Sequence, residues 1–184
     1  MLGNGETFGL QQLNYAYQPG EGGIAQALGF AEHFAAGSKL CVILGDNIIE
    51  THVAQLARDF ERQPAGAKIL LKEVKEPQRF GVPVFADGRI VAIEEKPACP
   101  ASSYAVVGIY FYDSRVFDII RTLKPSARGE LEITDVNNAY LRDGRLTWDV
   151  LEGWWTDAGT FDSLLQANQL VAQTGANKLV EEST

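Results

Sequence analysis

The residues best suited to chemistry are two aspartates, each placed directly after an apolar or aromatic segment. Asp46 follows the apolar run 40–45, and Asp157 follows the segment 154–156, which contains two tryptophans. Ligands of an open α/β sheet bind outside the carboxyl ends of its strands, so an acid at a strand end faces substrate. Two such acids can share Mg²⁺, which prefers a carboxylate or two together with phosphate oxygens of the substrate. The pair therefore predicts a magnesium site and phosphate chemistry.

Both aspartates also have an ordinary structural explanation. Asp46, followed by Asn47, is typical of a residue that starts a turn, and Asp157 is typical of a residue that caps the helix after it. Taken singly, neither aspartate decides between the two explanations. The wider pattern of the sequence favours the chemical one.

The length and charge of the chain exclude several classes of protein. With 184 residues it can bury one good core but not two comfortable domains, so we expect a single domain over residues 1–184. The sequence has no apolar run of roughly 20 residues and no signal peptide, so we expect no membrane partner and a cytoplasmic location. The formal charge of −8 offers no attractive field to nucleic acid. An anionic substrate then depends on local cations, for which the candidates are Lys72, Lys75, Arg79, Lys96 and Arg128.

Hydrophobic periodicity predicts an α/β fold. Strands are predicted at residues 14–18, 39–44, 68–74, 81–86, 89–93, 104–112 and 146–151. Helices are predicted at residues 24–35, 52–62, 114–123, 132–141 and 160–173, followed by a polar, fraying tail at 175–184. The alternation of strand, helix and strand predicts parallel pairing of 39–44 with 68–74. Asp87-Gly88 predicts a hairpin between the strands that flank it.

Seven short motifs follow one another along nearly the whole chain. They are Gln18-Pro19 with Gly22-Gly23-Ile24-Ala25-Gln26, Leu44-Gly45-Asp46-Asn47, Arg79-Phe80-Gly81-Val82, Glu94-Glu95-Lys96-Pro97, Tyr104 to Asp113, Arg128-Gly129-Glu130-Leu131-Glu132-Ile133-Thr134-Asp135, and Trp155-Thr156-Asp157-Ala158-Gly159-Thr160. Each motif alone is a weak signal, but the ordered set is specific. It resembles the sugar-1-phosphate nucleotidylyltransferases, and within that family most closely the glucose-1-phosphate thymidylyltransferases.

The resemblance implies a reaction, a fold and a set of site residues. The reaction is transfer of a nucleoside monophosphate, with dTTP the expected donor, to glucose 1-phosphate, which gives dTDP-glucose and pyrophosphate. The implied fold is a Rossmann-like mixed sheet flanked by helices, of the nucleotide-diphospho-sugar transferase type. Asp46 and Asp157 are implied to hold Mg²⁺, and Lys96 and Arg128 to bind the sugar phosphate. The implied base and sugar contacts are Gln18, Gly23, Gly81, Glu95, Val107 or its neighbour Val106, and Trp155.

One element of the family is not found in the sequence: a Gly-rich loop near the N-terminus, followed by basic residues that bind the triphosphate. Residues 1–9 instead resemble the segment that comes after that loop, so we expect a domain truncated by on the order of two βα units. The missing strands are then expected to leave an apolar edge on the sheet. Re-pairing of the strands, domain swapping or another chain would cover this edge, and we expect a homo-oligomer. Loss of phosphate-binding cations costs about three orders of magnitude in such chemistry, which puts activity in doubt.

Two other classes of function compete with this enzyme. A non-catalytic sugar-nucleotide-binding or assembly module, paired with a complete subunit, fits the same motifs without the loop. A dinucleotide-dependent oxidoreductase needs a Gly-x-Gly-x-x-Gly turn followed by an acid, and the sequence contains no such run. The first alternative therefore stays open, and the second is set aside.

Overall fold

The computed structural model describes residues 2–177 and has a mixed α/β fold. Its α-helices are α1 (Ile24–Gly29), α2 (Glu32–Ala35), α3 (Ala54–Arg62), α4 (Val116–Thr122), α5 (Ile133–Arg142) and α6 (Phe161–Thr174). Its strands are β1 (Leu40–Ile43), β2 (Asn47–Ile49), β3 (Ala67–Glu73), β4 (Gly81–Ala86), β5 (Arg89–Glu95), β6 (Tyr104–Tyr112), β7 (Leu146–Val150) and β8 (Trp155–Asp157). Within residues 2–177, none of the helices has the length and apolar character needed to cross a bilayer.

The central sheet has four strands in the order β1-β6-β3-β7. Strand β6 runs antiparallel to both β1 and β3, and β7 runs parallel to β3. The predicted parallel pairing of residues 39–44 with 68–74 is therefore wrong, because β6 lies between these two strands. β6 takes this central place because its continuous apolar run is buried along almost its whole length. The predicted class, a mixed sheet flanked by helices, is confirmed.

Two apolar clusters form the core, one on each face of the central sheet. Tyr110 and Tyr112 of β6 pack in the first cluster with residues of α1, α4 and α5. Ile109 and Phe111 of the same strand pack in the second cluster, with residues of α3. This alternation follows from the two-residue period of a strand, and it shows that both faces of β6 are covered.

Three features of the structure differ from the prediction. Residues 14–18 form no strand, because no described segment pairs with them. The helix predicted at 24–35 is two short helices, and the break follows Gly29, a poor helix former. The paired strands β2 and β8 have no counterpart among the predicted elements. Each has only three residues, which is too short for a periodic pattern to be recognised.

The remaining elements agree closely with their prediction. β4 and β5 form the predicted hairpin, joined by Asp87 and Gly88, whose φ angles are 49° and 72°. Positive φ at both turn residues is the requirement of a tight two-residue hairpin turn, which explains the Asp-Gly sequence. Apart from β8, the helices and strands from α3 onward lie within a few residues of their predicted bounds. Most of the predicted tail at 175–184 lies outside the described residues.

Strand β1 forms one edge of the central sheet. Ile43 on β1 is 56% exposed, and Phe34 on α2 is 54% exposed. These side chains line an open apolar groove between β1 and the helices α1 and α2. The groove agrees with the expected apolar edge, and its coverage by another chain stays a prediction.

Candidate active site

The short strands β2 and β8 bring the two aspartates together. Asn47 lies opposite Asp157 in this antiparallel pair, and Asp46 immediately precedes β2. The Ala158 N–H donates to the Asp46 carbonyl oxygen at 2.7 Å, which continues the pairing past Asp157. A Cβ added to Gly159 would lie 2.8 Å from Asp157 Oδ1 and 3.3 Å from Asp46 Oδ2. Both carboxylates therefore border one small volume, which the glycine leaves open.

A hydrogen bond holds one oxygen of each aspartate. Asn47 Nδ2 donates to Asp46 Oδ1 at 2.8 Å, and the Gly159 N–H donates to Asp157 Oδ1 at 2.6 Å. Within residues 2–177, no hydrogen bond reaches the Oδ2 atom of either aspartate. Each carboxylate thus has a fixed orientation and one oxygen that can bind a ligand.

A cleft of about 300 Å³ opens beside the two aspartates. Five carboxylates and three basic side chains line it, namely Asp46, Glu95, Glu130, Glu132 and Asp157 with Arg79, Lys96 and Arg128. This excess of negative charge repels a bare phosphate ester. A divalent cation on the two aspartates would remove that repulsion, so the cleft suits a phosphate that arrives together with a metal.

Glu95, at the end of β5, has a fixed side chain. Thr134 Oγ1 donates to Glu95 Oε2 at 2.5 Å, and a Cβ on Gly81 would lie 3.2 Å from that hydroxyl oxygen. Tyr110 lines the same cleft, where burial raises the pKa of its hydroxyl and the charges of Glu95 and Asp46 raise it further. The Tyr110 hydroxyl therefore stays protonated. Carboxylate and hydroxyl groups together form a set that can pair with the hydroxyls of a polar ligand.

Arg128 and Lys96 supply positive charge close to Glu95. Arg128 Nη2 lies 2.8 Å from Glu132, 3.3 Å from Glu130 and 3.7 Å from Glu95, measured to the nearest carboxylate oxygen. Lys96 directly follows β5 and has a backbone φ of 45°. A positive φ is uncommon outside glycine and often marks a functional turn. Both cations line the cleft and are placed to meet an anionic ligand.

Glu132, which is 8% exposed, is stabilised by Arg128. Burial alone would raise the pKa of Glu132, but hydrogen bonds from Arg128 and Ser126 and the charge of Arg128 hold that pKa below its ordinary value. The unfolded chain therefore takes up this proton at a higher pH than the folded chain does. The ionised carboxylate stabilises the fold above pH 4.5, and the stabilisation is lost as the pH falls below that value.

We expect Glu132→Gln to lower the free energy of unfolding by about 1–3 kcal/mol at neutral pH, because a buried charge-assisted hydrogen bond is weakened. The difference from the wild type is expected to shrink as the solution becomes more acidic. Urea unfolding at a series of pH values measures both effects. Glu61→Gln, at an exposed position of α3, is the matched control and should change stability by less than about 0.5 kcal/mol. A loss in Glu132→Gln that is the same at every pH would contradict the ionic role.

Comparison with known proteins identifies the family. The family model described as nucleotidyl transferase matches residues 1–174. The chain belongs to this family. Among curated proteins, the glucose-1-phosphate thymidylyltransferases of Neisseria meningitidis and Mycolicibacterium smegmatis are 45% and 46% identical to it over 175 residues. These matches cover 93% of this chain and 60% of each relative, so the chain spans about 60% of the length of these curated relatives.

Solved structures with the nucleotidyl transferase fold superpose well. A Bacillus anthracis crystal structure, described as a glucose-1-phosphate thymidylyltransferase in complex with sucrose, matches with a TM-score of 0.88 and 52% identity. This match covers 96% of the present chain and 72% of the other. A UDP-glucose pyrophosphorylase in complex with UDP-glucose has a TM-score of 0.78 at 22% identity, over 87% of this chain and 66% of that one. The second likeness concerns the fold alone, and the predicted nucleotide-diphospho-sugar transferase fold is confirmed.

In this nucleotidyl transferase chain, most residues implied by the family motifs line one cleft. They are Asp46, Gly81, Glu95, Lys96, Arg128, Trp155 and Asp157. Gln18 and Gly23 lie beside it, where Gln18 Nε2 donates to the Gly23 carbonyl oxygen at 3.1 Å. Gly23 directly precedes Ile24, which lines the cleft. Gln18 and Gly23 therefore border the cleft without being part of its lining.

Three of the residues singled out in the sequence lie elsewhere, and one of them is Lys75, which lines a neighbouring cleft with Glu76 and Gln166. Val107 is fully buried in the cluster against α3, and its neighbour Val106 lines the cleft instead, because successive residues of a strand face opposite sides. Lys72 donates from Nζ to the backbone oxygens of Leu151 and Gly153, so this candidate cation is used in the fold.

Several cleft residues have no role in the sequence prediction, among them Asn47, Tyr110, Glu132 and Thr134. Asn47 and Thr134 contact other site residues through hydrogen bonds, and Glu132 pairs with Arg128. Thr134 and Glu95, for example, are 39 residues apart in the sequence. The one signal available for such residues is their position inside the family motifs, which does not say what they contact.

Proposed function

We propose that this chain binds glucose 1-phosphate and a nucleoside triphosphate, with dTTP the expected donor, and forms dTDP-glucose and pyrophosphate in the cytoplasm. The observation that supports this most directly is the single cleft in which Asp46 and Asp157 lie beside Lys96, Arg128 and Glu95. Relatives named for this activity, at 45% and 46% identity, support the same proposal.

The proposed reaction is a displacement at phosphorus. A phosphate oxygen of glucose 1-phosphate attacks the α-phosphorus of dTTP, the bond from that phosphorus to the α–β bridging oxygen breaks, and pyrophosphate leaves with the electron pair. The attacking phosphate is already ionised at neutral pH, so neither a general base nor a protein nucleophile is needed. The rate then depends on in-line positioning and on stabilising the charge of the leaving group.

Lys96 and Arg128 are proposed to bind the sugar phosphate and to hold its oxygen in line. Arg128 offers a planar fork of donors that suits a phosphate, whereas Lys96 offers a compact point charge. Glu95 is proposed to accept hydrogen bonds from sugar hydroxyls. The ring of Trp155 lies 5.1 Å from the ring of Phe80, centroid to centroid, and the two rings form an apolar wall beside these polar groups.

Gln18 and Gly23 are proposed to contact the base. The Gln18 amide can both donate and accept, as the edge of a pyrimidine requires. Its Nε2 now donates to the Gly23 carbonyl oxygen and to Gln26 Oε1, at 3.1 and 2.9 Å, so a bound base would exchange with these partners. Gly23 has a φ of 87°, and a Cβ there would lie 2.5 Å from the Leu131 carbonyl oxygen, so only glycine fits. Thymine and uracil suit such an amide equally, and pyrophosphate release with dTTP and with UTP distinguishes between the two bases.

Mg²⁺ is proposed to bind between Asp46 and Asp157. Carboxylates are the oxygen ligands that this ion prefers, one oxygen of each is fixed by an N–H donor, and Gly159 leaves the space between them open. The described residues hold no group of three or more His, Cys, Asp or Glu side chains arranged for a metal. Two carboxylates completed by phosphate oxygens form the ligand set that Mg²⁺ commonly takes. When bound, the ion neutralises phosphate charge and stabilises the departing pyrophosphate.

We expect Gly159→Ala to weaken binding of a divalent cation about tenfold. The added methyl group would lie 2.8 Å from Asp157 Oδ1 and 3.3 Å from Asp46 Oδ2, so the carboxylates must move apart. Titration with Mn²⁺, followed by the electron paramagnetic resonance of the free ion, measures the affinity. Gly45→Ala is the matched control, because a Cβ at Gly45 meets no atom within 4 Å although the residue adjoins Asp46. Equal affinity in both variants would show that the cation does not bind at Gly159.

The proposed function is tested with the purified chain, Mg²⁺ and glucose 1-phosphate. Pyrophosphate release is measured with dTTP, UTP, CTP, ATP and GTP in turn, and calorimetry measures binding of glucose 1-phosphate with glucose 6-phosphate as the control ligand. Turnover with one nucleotide establishes the activity and its base. No binding of glucose 1-phosphate in the presence of Mg²⁺ would overturn the site assignment.

A sugar-nucleotide-binding or assembly module is the second candidate function. The exposed apolar groove along β1 favours it, because such a surface is commonly covered by a partner. Binding of glucose 1-phosphate without turnover, together with a mass above that of one chain under native conditions, would support the module over the enzyme.

A further inference from the structure

The side-chain amide of Asn47 joins three parts of the cleft. Its Nδ2 donates to Asp46 Oδ1 at 2.8 Å, and its Oδ1 accepts from Trp155 Nε1 at 2.7 Å and from the Gly108 N–H at 3.0 Å. The backbone of Asn47 lies opposite Asp157 in the β2–β8 pair. One residue therefore connects both aspartates, the central strand β6 and the tryptophan of the cleft wall.

The side-chain amide of Asn47 packs closely against Gly108. A Cβ added to Gly108 would lie 2.6 Å from Asn47 Nδ2 and 2.8 Å from Oδ1. Gly108 is not among the glycines with positive φ in the described chain, so its backbone does not call for glycine. The Asn47 amide requires glycine at position 108, because a larger residue there would push the amide aside.

An amide suits this position for a chemical reason. Asp46 needs a donor, whereas the Trp155 and Gly108 N–H groups need an acceptor, and an asparagine side chain supplies one of each. Aspartate would keep the acceptor but lose the donor, and leucine would lose both. Glutamine is one methylene longer, so its amide would not occupy the same place beside Asp46, Trp155 and Gly108. The three partners also fix which end of the amide carries the nitrogen.

We propose that Asn47 is a positioning residue that orients the Asp46 carboxylate for the divalent cation and the Trp155 ring beside the sugar phosphate, an inference that rests on the function proposed above. In this role Asn47 acts through Asp46 and Trp155. Groups that hydrogen-bond a metal ligand commonly change metal affinity 10- to 100-fold when they are removed. The shared amide means that one substitution should disturb the metal site and the tryptophan together.

Nuclear magnetic resonance of the ¹⁵N-labelled chain tests both contacts at once. The Trp155 indole N–H resonance, assigned with Trp155→Phe, reports its hydrogen bond, and Mg²⁺ titration followed at the amides of Asp46 and Asp157 reports the metal. In Asn47→Leu we expect the indole resonance to move upfield and the Mg²⁺ dissociation constant to rise about tenfold. In Asn47→Asp the indole resonance should not move upfield, because an acceptor oxygen is kept.

Two further variants complete the test. Gly108→Ala displaces the Asn47 amide without removing it, so it should reproduce both effects if Asn47→Leu does not fold. Asn168→Leu is the matched control, since Asn168 is an exposed residue of α6 whose amide donates only to the Leu164 carbonyl oxygen in the described chain. We expect it to change neither the indole resonance nor the Mg²⁺ affinity.

The outcomes separate this inference from the proposed function. If Mg²⁺ does not change the amide resonances of Asp46 and Asp157 in the wild-type chain, the proposed metal site is wrong. The proposed role of Asn47 is then wrong as well. If the wild type responds and the Asn47→Leu or Gly108→Ala chain binds Mg²⁺ equally well, the positioning role alone is overturned. An unmoved Trp155 resonance in Asn47→Leu likewise overturns it.

Discussion

Asparagine in place of Asp46 or Asp157 is expected to lower pyrophosphate release from dTTP and glucose 1-phosphate by about three orders of magnitude. The amide keeps the shape of the side chain but removes the charge that a hard cation requires. Because both carboxylates border the volume beside Gly159, each single substitution should lower pyrophosphate release about as much as the double substitution does. A coupled assay for pyrophosphate at increasing Mg²⁺ concentration measures the loss.

Asp162→Asn is the control for this pair. Asp162 is an exposed carboxylate in the first turn of α6, only five residues after Asp157, and it does not line the cleft. We expect it to keep activity within about twofold of the wild type. If the chain turns over none of the nucleotides, the same variants are compared by the Mg²⁺ dependence of dTTP binding. An Asp46→Asn chain that responds to Mg²⁺ like the wild type would exclude the metal assignment.

The elements that could be predicted from the sequence have strong local signals. The continuous apolar run of β6 and the Asp87-Gly88 turn each specify their structure within a few residues. The insertion of β6 between β1 and β3 has no such signal, because it depends on partners such as Leu40 and Tyr112 that are far apart along the chain. Strand, helix and strand alternation favours parallel neighbours, and here a later strand occupies the place between them.

The residues of the candidate active site likewise include some that could be predicted from the sequence and some that could not. The charged residues could be found from their chemistry and from the family motifs, because each acts through its own side chain. Asn47 and Trp155 are 108 residues apart, and their hydrogen bond follows only from the β2–β8 pairing that the sequence does not reveal. The period of β6 likewise requires Val106 and Val107 to face opposite sides, but it does not say which side is the cleft.

Replacing Arg128 by alanine is expected to raise the dissociation constant for glucose 1-phosphate about 10- to 100-fold. A hydrogen bond to a charged group contributes roughly 1.5–3 kcal/mol, which corresponds to that range. The loss also leaves Glu95, Glu130 and Glu132 without their shared cation, which makes the cleft more negative. The dissociation constant of Arg128→Lys should lie between those of the wild type and Arg128→Ala, because lysine keeps the charge and loses the planar fork. Calorimetry with glucose 1-phosphate and Mg²⁺ measures each affinity.

Two roles of Arg128 predict the same loss, and a second substitution separates them. If Arg128 binds the phosphate directly, the double variant Arg128→Ala with Glu132→Gln should bind as weakly as Arg128→Ala. If Arg128 only balances the buried Glu132 carboxylate, removing that charge should restore the affinity, and the phosphate role would be wrong. Arg121→Ala is the control, since this exposed arginine of α4 is also paired with two carboxylates but lies outside the cleft. Its affinity for glucose 1-phosphate should equal that of the wild type, because pairing with carboxylates alone gives no phosphate site.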